Sequence, residues 1–513
     1  MRKTRGRNPI RGSLLLTIIV LQHTIDGLDP SPVSLQQLRL ANDQTTTDIN
    51  QAQLLRPNMS DIDPFFNPKR VALIGASSDY RKLGNSLLMN LLASELEVYP
   101  ITRSRDQVMG VKAYKSLRDI PTPIDLAIVA VAAKYCPSLM KDIHDAGASN
   151  AVVISGGFSE TGKDGEILEQ ELVKAAEEAD VRIIGPNCVG VSNSRLFNGT
   201  FTMMPERGNI ALISQSGALG GMIIYTTRAK RIGMSKFASI GNAADVGFVE
   251  LLQYLADDPK TSTITVYVEG VEKGRELYKS LRDAAKKKPV VILKGGKSKA
   301  GAQATKSHTG SLAGSPQIFE GALRQAGCVT APTLDTLFEI AKLFDYQPLP
   351  KGRNIGIISN TGGAGVLATD EASHHKLNIP QLSPNTREEL YNVLPPMAAT
   401  DNPVDVVASG GRREYRIATE LMLRDPEVDM LLVICGVPTF AGMTQTEHAA
   451  GTLEGVRMSE TKKPVVGVWL AGDVGKPGKD LLEMNRIPCY DDPSTAILCM
   501  LRVTEYAEMH RGL

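Results

Sequence analysis

The chain has 513 residues and a formal net charge of +1. At roughly 150 residues per domain, this length predicts about three domains, and the near-neutral charge argues against nucleic acid or an anionic membrane as a partner. The 6 cysteines are scattered and include no CxxC pair, so we expect no disulfide framework, no metal centre and a cytoplasmic protein.

The first sixty residues differ in character from the rest. Basic residues precede a short apolar run at 14–21, as in a secretory signal, but no small-residue cleavage site follows, and the run is too short to span a bilayer. The second interpretation is a start assigned too far upstream, with Met59 as the true first residue, because the globular pattern begins directly after it. We favour the second interpretation and treat residues 1–60, a disordered leader or a mis-assigned start, apart from the fold.

Beyond this segment, apolar strands alternate with helices in three successive sets. Continuous apolar strands separated by helices predict doubly wound parallel sheets. We place the three sets at 61–195, 196–347 and 348–513, with the Pro-rich linker QPLPKG at 347–352. Each set opens with an apolar strand, a turn of small residues and a helix. The three sets therefore repeat an order of elements without repeating a closely similar sequence.

The first of these turns, Gly75-Ala76-Ser77-Ser78, has the small residues that let a phosphate approach backbone N–H groups near the start of a helix. A dinucleotide fingerprint would have glycine where Ser77 stands and an acidic residue near the end of the next strand. That strand is instead followed by Arg103 and Arg105. Cations there suit a phosphorylated ribose, as in CoA or NADP, and the alternative is an ordinary turn with surface arginines.

Two further turns, GPNCVG at 185–190 and SQSGALG at 214–220, also follow strands, where α/β proteins form their binding sites. A nucleophile elbow of the Gly-x-Ser-x-Gly type fails at Ser216, because the first glycine is missing. Cys188 is a possible nucleophile, but a packed small side chain is the favoured interpretation.

The stretch KGGKSKAGAQATKSHTGSLAG at 294–314 surrounds one histidine, His308, with Gly, Ala, Ser and Thr. It is not a Walker A loop, because Val291 stands where that motif needs glycine. A loop of small residues leaves an imidazole open to close approach, and neutral imidazole is a competent nucleophile towards an activated phosphoryl group. Spacing alone leaves two interpretations, phosphoryl transfer or an ordinary loop histidine.

In chain order, the motifs of this sequence resemble those of a known family. The chain is similar to the α subunits of succinyl-CoA synthetase and, more closely, of ADP-forming acetyl-CoA synthetases, over residues 61–513. The motifs that carry the resemblance are VALIGAS (71–77), GGFSETGKDG (156–165), GPNCVG (185–190), SQSGALG (214–220), IGNAADV (240–246), YVEG (267–270), SHTGSLAG (307–314) and SNTGGAG (359–365).

The resemblance implies an α/β fold, with an N-terminal Rossmann-like CoA-binding domain followed by two flavodoxin-like succinyl-CoA synthetase-type domains. It places His308 at the family's phosphohistidine and Glu269 at the carboxylate that supports it. Gly75-Ala76-Ser77-Ser78 and Val131-Ala132-Ala133 match the family's CoA-contacting loops. Where the family commonly has lysine in an Asn-Pro-Lys context, this chain has Thr102-Arg103-Ser104, so an arginine is the candidate replacement.

The implied reaction interconverts acyl-CoA, ADP and phosphate with a carboxylic acid, CoA and ATP. Phosphate attacks the thioester to give an acyl phosphate, which phosphorylates His308, and the phosphoryl group then reaches ADP. We expect the later turns to offer hydrogen-bond donors to phosphate and acyl groups. The candidate residues are Asn187, Ser214, Ser216, Gly217, Gly362 and Gly363.

The family's nucleotide site lies in an ATP-grasp module, and no such module is recognisable in this sequence. The resemblance therefore implies a separate ATP-grasp β subunit, in an α2β2 assembly, that binds ADP or ATP with Mg²⁺. Three other functions stay open, namely a protein lysine acyltransferase, a non-catalytic CoA- or nucleotide-binding regulator, and an NADP-dependent dehydrogenase. The sequence does not identify the carboxylic acid substrate, and acetate, succinate, aryl-acetates and hydroxy acids are all candidates.

Overall fold

The protein is described here by a computed structural model. It covers residues 59–271, 273–301, 303, 315–436, 446–470 and 472–511. Residues 59–513 cluster as one compact unit, and every element below belongs to it. The predicted leader up to residue 58 lies outside the described residues, as does His308.

Helices and strands alternate along the described chain. The helices are α1 (Met59–Ile62), α2 (Leu83–Leu92), α3 (Cys136–Asp145), α4 (Lys163–Glu178), α5 (Gly217–Ala229), α6 (Phe248–Asp257), α7 (Gly274–Ala285), α8 (Pro316–Gln325), α9 (Leu334–Tyr346), α10 (Gly362–His374), α11 (Pro384–Val393), α12 (Arg412–Arg424), α13 (Glu447–Ser459), α14 (Lys476–Met484) and α15 (Pro493–Met509). The strands are β1 (Arg70–Ile74), β2 (Glu97–Ile101), β3 (Gln107–Val108), β4 (Val111–Lys112), β5 (Leu126–Val129), β6 (Asn150–Val153), β7 (Arg182–Ile184), β8 (Gly190–Asn193), β9 (Phe197–Thr200), β10 (Arg207–Ser214), β11 (Met234–Ser239), β12 (Thr263–Val268), β13 (Val290–Lys294), β14 (Val329–Thr330), β15 (Ile355–Ser359), β16 (Val404–Asp405), β17 (Met430–Gly436), β18 (Val465–Leu470) and β19 (Cys489–Tyr490).

The first sheet is parallel throughout, in the order β2-β1-β5-β6-β7. Strands β5 and β6 are buried at every position, as expected for strands that are covered by helices on both faces. The chain order reverses between β1 and β5. In doubly wound sheets, ligands bind outside the carboxyl ends of the strands at this switch point.

The second sheet has the order β14-β13-β12-β10-β11-β8-β9. Strands β10 to β14 are parallel, with their switch point between β10 and β12. The antiparallel hairpin β8–β9 continues the sheet beside β11. This hairpin spans the predicted domain boundary at residue 195, so the chain enters the second sheet just before that position.

The third sheet is parallel, in the order β16-β15-β17-β18-β19. Its switch point lies between β15 and β17, and its five strands repeat the spatial order of the parallel strands in the other two sheets. The three small-residue turns that echo one another in the sequence therefore each follow a strand at a switch point, namely β1, β10 or β15. The predicted fold class, α/β with parallel sheets, is confirmed.

Aromatic and polar contacts fix the three sheets to one another. Phe66, before β1, stacks on Tyr254 of α6 with ring centroids 5.3 Å apart. Tyr506 of α15 packs edge-on against Phe344 of α9 at 5.1 Å, and its hydroxyl donates to the carbonyl of Ala285 at 2.9 Å. The second sheet thus shares packing contacts with both neighbours.

Candidate active site

The turn after β1 packs tightly against the loop after β5. Gly75 has a positive φ of 99°, and a Cβ there would lie 2.3 Å from the carbonyl oxygen of Ala130. On the helix side, a Cβ on Gly84 of α2 would lie 2.0 Å from the carbonyl oxygen of Gly75. Glycine at both positions permits this approach, which places the first predicted CoA loop directly beside Val131.

Hydrogen bonds within the first turn order its remaining residues. The hydroxyl of Ser77 accepts from the backbone N–H of Asp79 at 3.0 Å, and Asn85 Nδ2 donates to the carbonyl of Ser77 at 3.0 Å. Ala76 is buried beneath the turn, whereas Ser78 is exposed. The turn therefore presents an ordered surface of small residues.

The two arginines predicted to bind a ribose phosphate follow β2. Arg103 and Arg105 are exposed, and within the described residues neither makes an ion pair. Arg81, which follows the first turn, pairs with Asp79 at 3.0 Å. The positive charge of Arg103 and Arg105 is therefore not neutralised by a described carboxylate.

Ser155 connects the second predicted CoA loop, residues 131–133, to the GPNCVG turn. Its hydroxyl donates to the carbonyl of Val131 at 2.5 Å, and its own carbonyl accepts from the backbone N–H of Asn187 at 2.8 Å. Ala132 is exposed, and Ala133 is partly exposed. The carboxyl ends of β5, β6 and β7 thus form one continuous hydrogen-bonded edge.

A cleft of about 860 Å³ lies between loops of the first and second sheets. Its walls include four of the predicted site residues, namely Asn187, Ser216, Gly217 and Glu269. Ser216 caps α5, because its hydroxyl accepts from the backbone N–H of Leu219 at 3.4 Å. The amino-terminal end of α5, which carries the positive end of the helix dipole, therefore forms part of the cleft wall.

Ser214 is placed differently from Ser216. It is fully buried and is absent from the residues that line the cleft. Its hydroxyl donates to the carbonyl of Ser216 at 2.7 Å. In this structure the side chain of Ser214 shapes the turn.

Cys188 follows Asn187 but is buried beneath the turn. Its thiol donates to the carbonyl of Val153 at 3.3 Å, and burial raises the pKa of the thiol to about 12. A thiol with such a pKa is protonated at neutral pH and is a poor nucleophile. The interpretation of Cys188 as a packed small side chain agrees with these contacts.

Asn242, in the loop after β11 of the second sheet, joins the two sides of the cleft. Its Nδ2 donates to three oxygens from the segment that follows β6 of the first sheet, those of Ser159 at 3.0 Å, Glu160 at 2.8 Å and Glu169 at 2.7 Å. Its Oδ1 accepts from Asn187 Nδ2 at 3.3 Å. The side-chain amide of Asn187 is thereby oriented by a residue from the opposite wall.

Glu160 is a fixed negative charge in this network. Burial opposes its ionisation, but hydrogen bonds from Asn242 and from the backbone N–H groups of Gly157 and Phe158 outweigh that cost and lower the pKa of its carboxyl. The same hydrogen bonds close the Gly156–Gly157 turn, which borders Asn187.

Glu269 lies at the switch point of the second sheet, directly after β12. Gln215 Oε1 accepts from the backbone N–H of Glu269 at 2.7 Å and of Gly270 at 3.1 Å. Lys294 Nζ donates to the carbonyl of Glu269 at 2.6 Å, and the hydroxyl of Tyr267 donates to Glu269 Oε1 at 3.1 Å. Residues at two adjacent strand ends therefore hold the backbone of Glu269, and Tyr267 of β12 holds its carboxylate.

The third small-residue turn lies at the switch point of the third sheet. Asn360 exchanges two hydrogen bonds with Gly436, accepting from its N–H at 2.8 Å and donating to its carbonyl at 3.0 Å. Gly362 and Gly363 begin α10 and are exposed. Neither lines the cleft beside Glu269, so the third turn does not share that cleft with Asn187, Ser216 and Gly217.

His308 lies outside the described residues, in the segment between Gln303 and Ser315. The strand that leads towards this segment, β13, ends at Lys294, which contacts Glu269. The pairing of His308 with Glu269 stays a prediction.

Sequence reasoning missed the polar residues that hold the cleft together, namely Glu160, Gln215, Asn242, Tyr267 and Lys294. All five lie in motifs or stretches that the sequence analysis identifies, but some of their partners are as far as 82 residues away. A sequence motif does not specify which side chains contact one another across two sheets. The feature that could have indicated these residues is a polar side chain at or just after a strand end within a motif.

The described part of the chain contains no group of three His, Cys, Asp or Glu side chains placed to hold a metal ion. None of its helices has both the length and the apolar character needed to cross a bilayer.

Three family models match the chain in succession. They are a CoA binding domain over residues 69–194, a succinyl-CoA ligase-like flavodoxin domain over 207–344 and a Ligase-CoA domain over 355–502. Together they define the class as a CoA-binding protein of the succinyl-CoA ligase type.

Individual relatives narrow this class. The chain is 45% identical over 449 residues to the α subunit of acetate–CoA ligase (ADP-forming) II of Pyrococcus furiosus, covering 87% of this chain and 98% of that protein. It is 36% identical over 444 residues to the acetate–CoA ligase (ADP-forming) of Methanocaldococcus jannaschii, covering 86% of this chain and 63% of that protein. The fold matches the dinucleotide-forming acetyl-coenzyme A synthetase 1 of Candidatus Korarchaeum cryptofilum with a TM-score of 0.83 at 33% identity, covering 88% of this chain and 97% of that one.

The chain belongs to the family of ADP-forming acyl-CoA ligase α subunits, as the motif resemblance predicted. Members of this family are acid–thiol ligases. The alternatives of a lysine acyltransferase, a non-catalytic regulator and a dehydrogenase are therefore set aside.

Proposed function

We propose that this chain is the α subunit of a ligase that interconverts acyl-CoA, ADP and phosphate with a carboxylic acid, CoA and ATP. The observation that carries the proposal is a hydrogen-bonded path from the predicted CoA loop to the cleft. It runs from Val131 through Ser155 to Asn187, and from Asn187 to Asn242. Such a path supports a CoA loop and a cleft that act as one site.

CoA binding falls to the first sheet. The turn Gly75-Ala76-Ser77-Ser78 and the loop at 131–133 meet at the switch point, where backbone N–H groups receive the pyrophosphate. Arg103 or Arg105 binds the ribose phosphate, because an arginine without a carboxylate partner is free to pair with an incoming phosphate. The thioester then extends towards Asn187 in the cleft.

The first chemical step is attack of a phosphate oxygen on the thioester carbonyl carbon. The carbon–sulfur bond breaks, CoA leaves as a thiolate that takes up a proton, and an acyl phosphate remains. Backbone N–H groups at the start of α5, after Ser216 and Gly217, stabilise the negative charge that develops. The side-chain amide of Asn187 contributes a further donor.

The second step moves the phosphoryl group to His308. A ring nitrogen attacks phosphorus, the bond between phosphorus and the acyl oxygen breaks, and the acid leaves as a carboxylate. Glu269 steadies the cationic ring, since a nearby carboxylate favours the charged imidazole. ADP then takes the phosphoryl group from His308, as the bond between the ring nitrogen and phosphorus breaks.

The nucleotide site is on a partner. The M. jannaschii relative is longer than this chain, whose match covers 63% of it, and the P. furiosus relative is named an α subunit. Both observations support an ATP-grasp β subunit that binds ADP or ATP with Mg²⁺, in a cytoplasmic α2β2 complex.

Reconstitution tests the proposal. The chain alone should make no ATP from acetyl-CoA, ADP and phosphate, and addition of the β subunit encoded in the same genome should start turnover. A panel of acyl-CoAs from acetyl to aryl-acetyl then gives the preferred acid. Robust turnover by the verified-pure chain, or none by the complex with every acyl-CoA, would contradict the proposal.

A further inference from the structure

The backbone of Glu269 is fixed on both sides by its neighbours in the second sheet. Strand β12, which precedes Glu269, lies between β10 and β13. Gln215, after β10, accepts from the two backbone N–H groups of Glu269 and Gly270, and Lys294, at the end of β13, donates to the carbonyl of Glu269. The main chain at this position therefore has little freedom to move.

The side chain of Glu269 has its own support from Tyr267. The two residues are two positions apart at the end of β12, so their side chains project from the same face of the sheet. The hydroxyl of Tyr267 donates to Glu269 Oε1 at 3.1 Å. Burial and then the charge of Glu269 raise the pKa of this hydroxyl above its ordinary value, so it stays protonated at neutral pH and remains a donor.

Gly295 supplies the space for this contact. A Cβ on Gly295 would lie 2.9 Å from the hydroxyl oxygen of Tyr267 and 3.5 Å from Glu269 Cγ. The backbone of Gly295 is not in the left-handed region, so alanine would fit the main chain and would press on the hydroxyl alone. The glycine is required by the side chains opposite it, not by its own conformation.

We propose that Tyr267 is a positioning residue for Glu269, and that Gly295 is a glycine in order to admit the Tyr267 hydroxyl. The hydrogen bond fixes one carboxylate oxygen and stabilises its charge, which leaves the group ordered for the imidazole of His308. This inference rests on the proposed phosphohistidine chemistry. Tyr267 itself touches no reacting atom.

The test measures phosphorylation of the α chain in its complex with the β subunit. The complex is mixed with acetyl-CoA and radioactive phosphate, without nucleotide, and the base-stable, acid-labile label is followed in time. Tyr267→Phe should slow labelling by about tenfold, the loss expected for one hydrogen bond to a charged group. The KM for acetyl-CoA and the thermal midpoint should stay at their wild-type values, because the ring packing is kept.

Gly295→Ala should reproduce this loss without any change to the tyrosine. Matched controls are Tyr391→Phe, whose ring is exposed, and Gly321→Ala, where a Cβ meets no atom within 4 Å. Both controls should label at the wild-type rate. A Gly295→Ala protein that labels normally would overturn the role given to the glycine.

A double mutant separates positioning from general damage. If Tyr267 acts only through the carboxylate, Tyr267→Phe added to Glu269→Ala should cost nothing further. Losses that multiply, or a Tyr267→Phe protein that labels normally but has a raised KM for acetyl-CoA, would overturn the proposal while leaving the phosphohistidine intact. A wild-type complex that takes no label would instead overturn the proposed function, and this inference with it.

Discussion

At the scale of single residues, the cleft is built from side chains whose charges and hydrogen bonds are fixed before any ligand arrives. Glu160 is held ionised by an amide and two backbone N–H groups, whereas a glutamine and a lysine hold the backbone of Glu269 and a tyrosine holds its carboxylate. Donors and charges that are already oriented need no rearrangement at the moment of reaction. This arrangement favours transfer chemistry over simple binding.

The charge of Glu269 is the first quantity to test. Glu269→Gln keeps the shape of the side chain and removes the charge that, in the proposed mechanism, steadies the imidazole cation. Charge-assisted hydrogen bonds are worth about 1.5–3 kcal/mol, so phosphorylation of His308 should slow by about 10- to 150-fold. The rate of label uptake measures this, and CoA affinity serves as the control that should not change.

Arg103 is the second residue-scale test. Arg103→Ala should weaken CoA binding by about 10- to 150-fold through loss of one charge-assisted contact, and should leave dephospho-CoA binding unchanged. Calorimetry with both ligands measures the difference. The control is Arg387→Ala, which removes an exposed arginine of α11 that pairs with Asp401. If the variant bound CoA and dephospho-CoA with equally weakened affinity, Arg103 would not be the residue that contacts the ribose phosphate.

At the scale of elements, the sequence predicted the three strand–turn–helix openings, because apolar strands and small-residue turns are local patterns. It did not predict the hairpin β8–β9, whose strands GVSN and FNGT carry no continuous apolar run. Their burial comes from pairing beside β11 and from packing of β9 against helix α2. Contacts of this kind are absent from local sequence.

The turn after β1 gives an element-scale prediction. Gly75→Ala adds a Cβ that would lie 2.3 Å from a backbone oxygen, and relief of such a clash costs about 1–3 kcal/mol. If the clash is relieved by moving the loop at 131–133, and this cost is taken from the binding free energy, CoA affinity should fall by about 5- to 150-fold.

A second glycine provides the matched control. Gly110 also has a positive φ, but a Cβ there meets no atom within 4 Å. Gly110→Ala should therefore show only the backbone cost of about 1–2 kcal/mol in stability, with CoA affinity unchanged by calorimetry. Equal CoA affinities for the two variants would contradict the close packing of the two CoA loops.

At the scale of the whole molecule, a buried ion cluster joins α9, which follows the second sheet, to α14, which lies among the strands of the third sheet. Lys342 of α9 pairs with Glu339 at 2.7 Å and with Glu483 of α14 at 2.9 Å, and all three side chains are buried. Burial opposes the charge on Lys342, but the two carboxylates outweigh it and raise its pKa. Sequence alone indicated only a helix here, because the partner carboxylate is 141 residues away.

Removal of the cation should therefore be costly. Lys342→Met leaves Glu483 buried without its partner, and such losses typically destabilise a protein by about 3–5 kcal/mol. Lys476→Met, which breaks an exposed pair with Asp480 on α14, should cost less than about 1 kcal/mol. Denaturant unfolding compares the two, and equal midpoints would show that the cluster contributes no stability.

The phosphoryl group on His308 is the central claim, and direct labelling tests it. The complex of this chain with its β subunit should take acid-labile radioactive phosphate from acetyl-CoA and phosphate, and peptide mapping should place the label on His308. His308→Asn should take no label and make no ATP, yet bind CoA as tightly as the wild type, because the first sheet is intact. A His308→Asn complex that still moves phosphate into ADP at a near-normal rate would contradict the mechanism outright.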